Sequence, residues 1–101
     1  MTIPEKQRKL LEDKAQLLKA LAHPIRLCIV RNLLQSGGTN VTMMQNCLDM
    51  PQSTISQHLS KLRSAGIVEG KRSGTEITYS VINQDAASIV KSLVPELTMD
   101  E

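Results

Sequence analysis

Pro51-Gln-Ser-Thr-Ile-Ser-Gln-His-Leu-Ser-Lys-Leu-Arg-Ser-Ala-Gly66 has the spacing of a short helix with one apolar face and one face of small hydrogen-bonding side chains. With successive residues about 100° apart, Ile55, Leu59 and Leu62 share a stripe, and Ser53, Ser56, Gln57, Ser60 and Ser64 fall roughly opposite it. The stripe is expected to pack inward and the serine and glutamine face to be presented. An ordinary solvated helix face would carry Glu and Lys. Short uncharged donors and acceptors instead allow close approach to base edges and phosphates, so the residue choice points to nucleic acid.

Outward from this helix, the flanking segments supply a frame. Glu5 to about Leu21 reads as a first helix, with Leu10, Leu17 and Leu21 on one stripe and Leu11 and Leu18 on its neighbour, a face broad enough for two contacts. His23-Pro24 marks a break and a restart, because Pro suits the first helical position and disfavours helix in the residue before it. A second helix then runs to about Gln35, apolar nearly all round, as a central buried helix is. Ser36-Gly37-Gly38 ends it. Thr42 to Leu48 fits a short third helix, with Thr42 as its cap and Met44, Cys47 and Leu48 inward.

Beyond Gly66 the apolar period falls from about 3.6 to about 2. Residues 67–72 and 75–82 read as two strands joined through Ser73-Gly74, with Ile77, Tyr79 and Val81 alternating inward and Lys71 and Arg72 near the tip. Asn83 caps a final helix to about Leu97, with Ile89, Val90, Leu93, Val94 and Leu97 as its apolar face. The order is that of a winged helix-turn-helix: mainly α with a β-hairpin wing, one domain over residues 1–101. Residues 42–65 form its helix-turn-helix and 67–82 its wing. Its polar helix is expected in the major groove of double-stranded DNA, with Ser60 and Lys61 extending the contact face and Lys71 and Arg72 reaching phosphates or the minor groove.

Composition agrees with a small partner-dependent domain. The chain has 101 residues, no Phe or Trp and a single aromatic, Tyr79. Its core must come from Leu, Ile, Val, Met and Ala, so a second subunit would help to bury enough surface. Net charge is only +2, but cations concentrate early (Lys6, Arg8, Lys9, Lys14, Lys19, Arg26 and Arg31 against Glu5, Glu12 and Asp13), while the end is acidic and expected to face away from a polyanion. No run approaches the roughly 20 apolar residues of a membrane span, and the N-terminus lacks the stretch of a signal peptide. A cytoplasmic protein with reduced thiols and no membrane partner is expected.

Three segments resemble the ArsR/SmtB winged-helix repressors: Leu18-Lys-Ala-Leu-Ala-His-Pro-Ile-Arg-Leu27, Gln52 to Leu62, and Gly66 to Ser80. The resemblance implies a homodimer joined through the first and last helices (residues 1–21 and 84–97). It would bind a palindromic operator and block transcription until released. Carried over by position, the base- and phosphate-contacting residues fall on Gln52, Ser53, Ser56 and Gln57, the backbone-contacting edge on Val41 and Thr42, and the basic wing position on Arg72. Bland alternatives stand beside these: Gln52 bonding within its own first turn, and Thr42 acting only as a cap. His58, between the two faces, is expected to pack or hydrogen-bond locally.

The metal-sensing patterns of that family are missing. Where one class has Cys-x-Cys, the third helix offers only Cys47, and one thiolate cannot close a site. Where another places Asp and His along the last helix, the matching positions are Asn83, Asp85, Glu96 and Met99, a poor zinc set. No metal and no cofactor are expected. A thiol-responsive repressor using Cys28 and Cys47 is an alternative, against cysteines that act as small buried hydrophobes. Helical angle is read as setting Arg26 and Arg31 away from Cys28. An enzyme fails on inventory, with two histidines and no nucleophile, base and orienter set. A winged-helix module that binds protein and not DNA is the remaining alternative.

Overall fold

The computed structural model describes residues 2–94. They form α1 (Glu5–Leu21), α2 (Pro24–Ser36), α3 (Val41–Leu48), α4 (Gln52–Ser64), β1 (Val68–Ser73), β2 (Glu76–Val81) and α5 (Gln84–Leu93). The expected order of elements is the observed one. Glu96, Leu97 and Met99 lie outside the described residues.

Local chemistry explains most boundaries. The His23 ring accepts from the Ile25 N–H through Nδ1 at 3.1 Å, so the residue before Pro24 is itself the cap of α2. The cap of α3 is not Thr42 but Asn40, whose Oδ1 accepts from the Met43 N–H at 2.8 Å. Asn83 caps α5 as expected, accepting from the Ala86 N–H at 2.9 Å. After α4 the chain reverses at Gly66, where φ is +74°, a left-handed conformation that favours glycine.

The core is one cluster around α2. Ile29, Val30 and Leu33 of α2 meet Leu17 and Leu21 of α1, Met44 of α3, Ile55, Leu59 and Leu62 of α4, and Ala86 and Val90 of α5. At ~1.5–3 kcal/mol for each fully buried large aliphatic side chain, this cluster is the main favourable term, which suits a core with a single aromatic. The α1 stripe splits. Leu17 and Leu21 are buried, whereas Leu10, Leu11 and Leu18 stand more than half exposed.

β1 and β2 pair antiparallel from Val68↔Val81 to Ser73↔Glu76, so the connecting residues are Gly74 and Thr75, one position later than Ser73-Gly74. Gly70 lies opposite Tyr79, and a Cβ there would come within 3.0 Å of the tyrosine ring. The ring therefore lies across bare backbone. A bridge between Thr39 and Tyr79, with bonds of 3.0 and 2.8 Å, ties β2 to the loop before α3.

Two side chains depart from expectation. Cys47 is exposed, not packed with Met44 and Leu48, because α3 is short and only one of its edges reaches the core. Arg31 is not remote from Cys28: its Nη2 lies 3.8 Å from Sγ, as residues three apart on a helix are neighbours. No helix among the described residues is long and apolar enough to cross a membrane.

Candidate nucleic-acid interface

The inward stripe of α4 is almost completely buried, with Ile55 and Leu62 at 0 % exposure and Leu59 at 2 %. This fixes the helix's rotation. Gln52, Ser53, Ser56, Gln57, Ser60 and Lys61 are in consequence all exposed on its outer side. The separation of faces expected from angle alone is present in the fold.

The start of α4 opens onto a groove of about 510 Å³. The first residues of α3 (Val41, Thr42), the outer edge of α4 (Gln52, Ser56) and the wing (Thr75, Glu76, Ile77) line it, with Tyr79 behind. Thus four of the expected site residues, Val41, Thr42, Gln52 and Ser56, share one concavity. Ser53 and Gln57 lie on the exposed surface beside it. Lys71 and Arg72 are exposed on β1 and do not line the groove, and the Lys71 ammonium lies 3.6 Å from Glu69, an exposed pair of little energetic weight. Ser60 and Lys61 line a different hollow, against α1 and α2.

Sequence reasoning missed Asn40 and Glu76. The Asn40 side chain is used at both ends: Oδ1 caps α3 and Nδ2 donates to Glu76 Oε1. One residue thereby joins the start of α3 to the wing, alongside the Thr39–Tyr79 bridge. The available signal was an Asn directly before a short apolar-periodic stretch. Its second bond depends on tertiary placement and had no local signal.

His58 is half-buried on α4 and makes the local contact expected of it. Arg26 Nη1 lies 3.2 Å from its Nδ1, and its ring centroid is 4.5 Å from that of His23. A guanidinium can only donate, so Nδ1 accepts and the proton of the neutral ring sits on Nε2. Burial holds this imidazole below the ordinary histidine range, and the charges of His23, Arg26 and Lys61 act in the same direction. Among the described residues, no three His, Cys, Asp or Glu side chains are grouped to hold a metal ion.

A helix-turn-helix whose second helix offers an uncharged polar edge, flanked by a hairpin, defines a winged helix-turn-helix protein. Residues 21–71 match the helix-turn-helix domain family. The chain is 47 % identical to the transcriptional repressor PagR of Bacillus anthracis, over 84 % of its own length and 85 % of that protein's. It is 40 % identical to the transcriptional repressor SmtB of Mycobacterium tuberculosis, over 86 % of its own length and 64 % of that protein's. The crystal structure of B. anthracis PagR superposes with a TM-score of 0.80 at 45 % identity, covering 85 % of this chain and 98 % of that one. The homodimeric winged helix-turn-helix domain of Mb0332 from Mycobacterium bovis, a possible ArsR-family regulator, superposes with a TM-score of 0.79 at 32 % identity, covering 90 % and 83 %. This chain belongs to the ArsR/SmtB family of winged helix-turn-helix transcriptional repressors.

Proposed function

We propose that this chain, a DNA-binding transcriptional repressor of the ArsR family, binds a palindromic operator as a cytoplasmic homodimer and reads it with the start of α4. One observation carries this: the first turns of α3 and α4 and the strand β2 meet in a single groove whose polar lining is hydroxyl and amide groups with one carboxylate, Glu76. In the major groove, Gln52, Ser53, Ser56 and Gln57 would address base edges and adjacent phosphates, and Val41 and Thr42 would bring the end of α3 against the backbone. Ser60 and Lys61 extend that face. Lys71 and Arg72, exposed on the wing, would meet flanking phosphates or the minor groove.

The surface left uncovered among the described residues supports the dimer. Leu10, Leu11 and Leu18 on α1 and Leu93 on α5 are 52–64 % exposed, and the exposed Lys14–Asp85 pair joins these two helices side by side. A twofold partner on α1 and α5 would cover the leucines and repeat α4 along the duplex, with half-sites about one helical turn apart. The Mb0332 domain is described as homodimeric, which supports the same arrangement here. Footprinting on the DNA upstream of the protein's own gene, with sedimentation at micromolar concentration, tests both parts. A protected palindrome and a dimer are expected; a monomer, or protection indifferent to sequence, refutes the proposal.

A thiol-responsive version of the same repressor is favoured by one contact, that of the Arg31 guanidinium with half-buried Cys28. Alkylation of Cys28 and Cys47 that left operator affinity unchanged would exclude it.

A further inference from the structure

A second hollow, of about 420 Å³, lies where α1, α2 and α4 meet, and no wing residue lines it. Lys19 and Gln16 of α1, Arg26 of α2, and Ser60, Lys61 and Ser64 of α4 face it. We propose that this recess is a binding site for a small phosphate-bearing molecule, and that its occupancy is felt by α4. The site itself does not depend on DNA binding. The coupling to α4 rests on the operator-binding function proposed above.

Charge is the first argument. Three cations from three helices converge on the recess, and no carboxylate lines it. Among the described residues, Lys19 and Lys61 form no ion pair, so no carboxylate offsets the charge they bring to the recess. Arg26 is held in place by Nε donating to the Ala20 carbonyl at 2.5 Å and Nη1 to His58, both uncharged acceptors, so its charge is not neutralised. A planar fork fixed in this way is pre-organised for an oxyanion. The depressed basicity of neighbouring His58 reports in part the same positive surroundings.

Helix ends give a competing account of the lysines. Lys19 and Lys61 stand in the last turns of α1 and α4, where cations offset the negative end of the macrodipole. That account does not extend to Arg26, which lies in the first turn of α2, where the macrodipole disfavours a cation. Donors are also present beyond the charges. Ser60 and Ser64 are four residues apart and therefore neighbours on the helix surface, and Gln16 faces them across the recess. The volume lies within the range of small-molecule sites, roughly 300–1,000 Å³, and far exceeds what a lone ion needs.

The test uses the full chain. Amide NMR spectra would be recorded during titration with inorganic phosphate and with pyrophosphate, at ionic strength matched with chloride. Saturable shifts centred on Lys19, Arg26, Ser60 and Ser64 are expected, and Lys19→Gln should weaken pyrophosphate binding about threefold or more with its circular dichroism unchanged. Non-saturating shifts, shifts equally large at Arg8, Lys71 and Arg72, or unchanged binding by Lys19→Gln would overturn the proposal. Lys19→Gln should leave the affinity and salt dependence for a promoter duplex intact. A shallower salt dependence would identify a DNA backbone phosphate as the occupant and overturn the free-ligand assignment. Should the wild type bind no duplex at all, saturable phosphate binding would still establish the site, so the two failures remain separable.

Discussion

The groove at the start of α4 and the recess at its end are centred about two turns apart on one helix, yet their linings differ in kind. The groove holds amides, hydroxyls and one carboxylate, Glu76, but no cation; the recess holds three cations and no carboxylate. Attraction to a polyanion must therefore come from outside the groove, from rim positions such as Arg72. In the proposed complex this carboxylate would repel phosphate and could accept from base amino groups, so contact there would reward fit to base edges above mere proximity. Asn40 holds Glu76 at the capped end of α3, which keeps that carboxylate in one place.

Both hollows depend on the buried stripe of α4, and its loss has the largest expected effect. Ile55→Ala should destabilise the protein by about 2–5 kcal/mol, read by urea unfolding at fixed protein concentration because a dimer's stability depends on it. A loss well under 1 kcal/mol would mean that the inward face of α4 does not fix its rotation. Next in size, Gln57→Ala should cost about 1–3 kcal/mol in operator affinity and relax sequence preference with stability unchanged, measured by competition between operator and scrambled duplexes. Equal losses on both duplexes would show that Gln57 contacts backbone only.

Asn40→Ala should cost about 0.5–2 kcal/mol of stability through the lost cap. Asn40→Asp retains the capping oxygen but replaces the donor to Glu76 with a second carboxylate oxygen, so it separates cap from wing tie: near-normal stability with weaker operator binding is expected. Arg72→Ala should lower affinity evenly across sequences and reduce the salt slope by about one, seen by fluorescence anisotropy at graded salt.

The smallest effect is a pH dependence from His58, which neighbours the recess through Arg26. His58 is less basic in the folded protein than in the unfolded chain, so it favours folding above about pH 6.5. As pH falls through that value the unfolded chain takes up the proton first and stability declines. The decline ends once pH is below the folded-state value. His58→Gln should flatten this slope in unfolding measured between about pH 5 and 7.5, and an unaltered slope would assign it to other groups.

Much of this was legible in the sequence because the relevant signals are local. The 3.6-residue stripe of Ile55, Leu59 and Leu62 and the alternation of Ile77, Tyr79 and Val81 each follow from backbone geometry, which made the outward face of α4 and the hairpin readable in advance. Where two good local choices sat side by side, expectation slipped: Asn40 over Thr42 as cap, and Gly74-Thr75 over Ser73-Gly74 as turn. Arg31 lies beside Cys28, against the angular expectation, because residues three apart on a helix are neighbours. The recess, the Asn40–Glu76 tie and the exposure of Cys47 depend on how helices cross. No run of residues encodes that by itself.

The contact of Tyr79 with bare backbone at Gly70 has an experimental consequence. The chain contains no tryptophan and one tyrosine, so its near-ultraviolet absorption and emission arise from a single ring, buried at the back of the groove and bonded through its backbone to the loop before α3. The native protein thus carries one intrinsic optical reporter, placed where wing and helices join. Movement of the wing can be followed by tyrosine emission without attaching a dye.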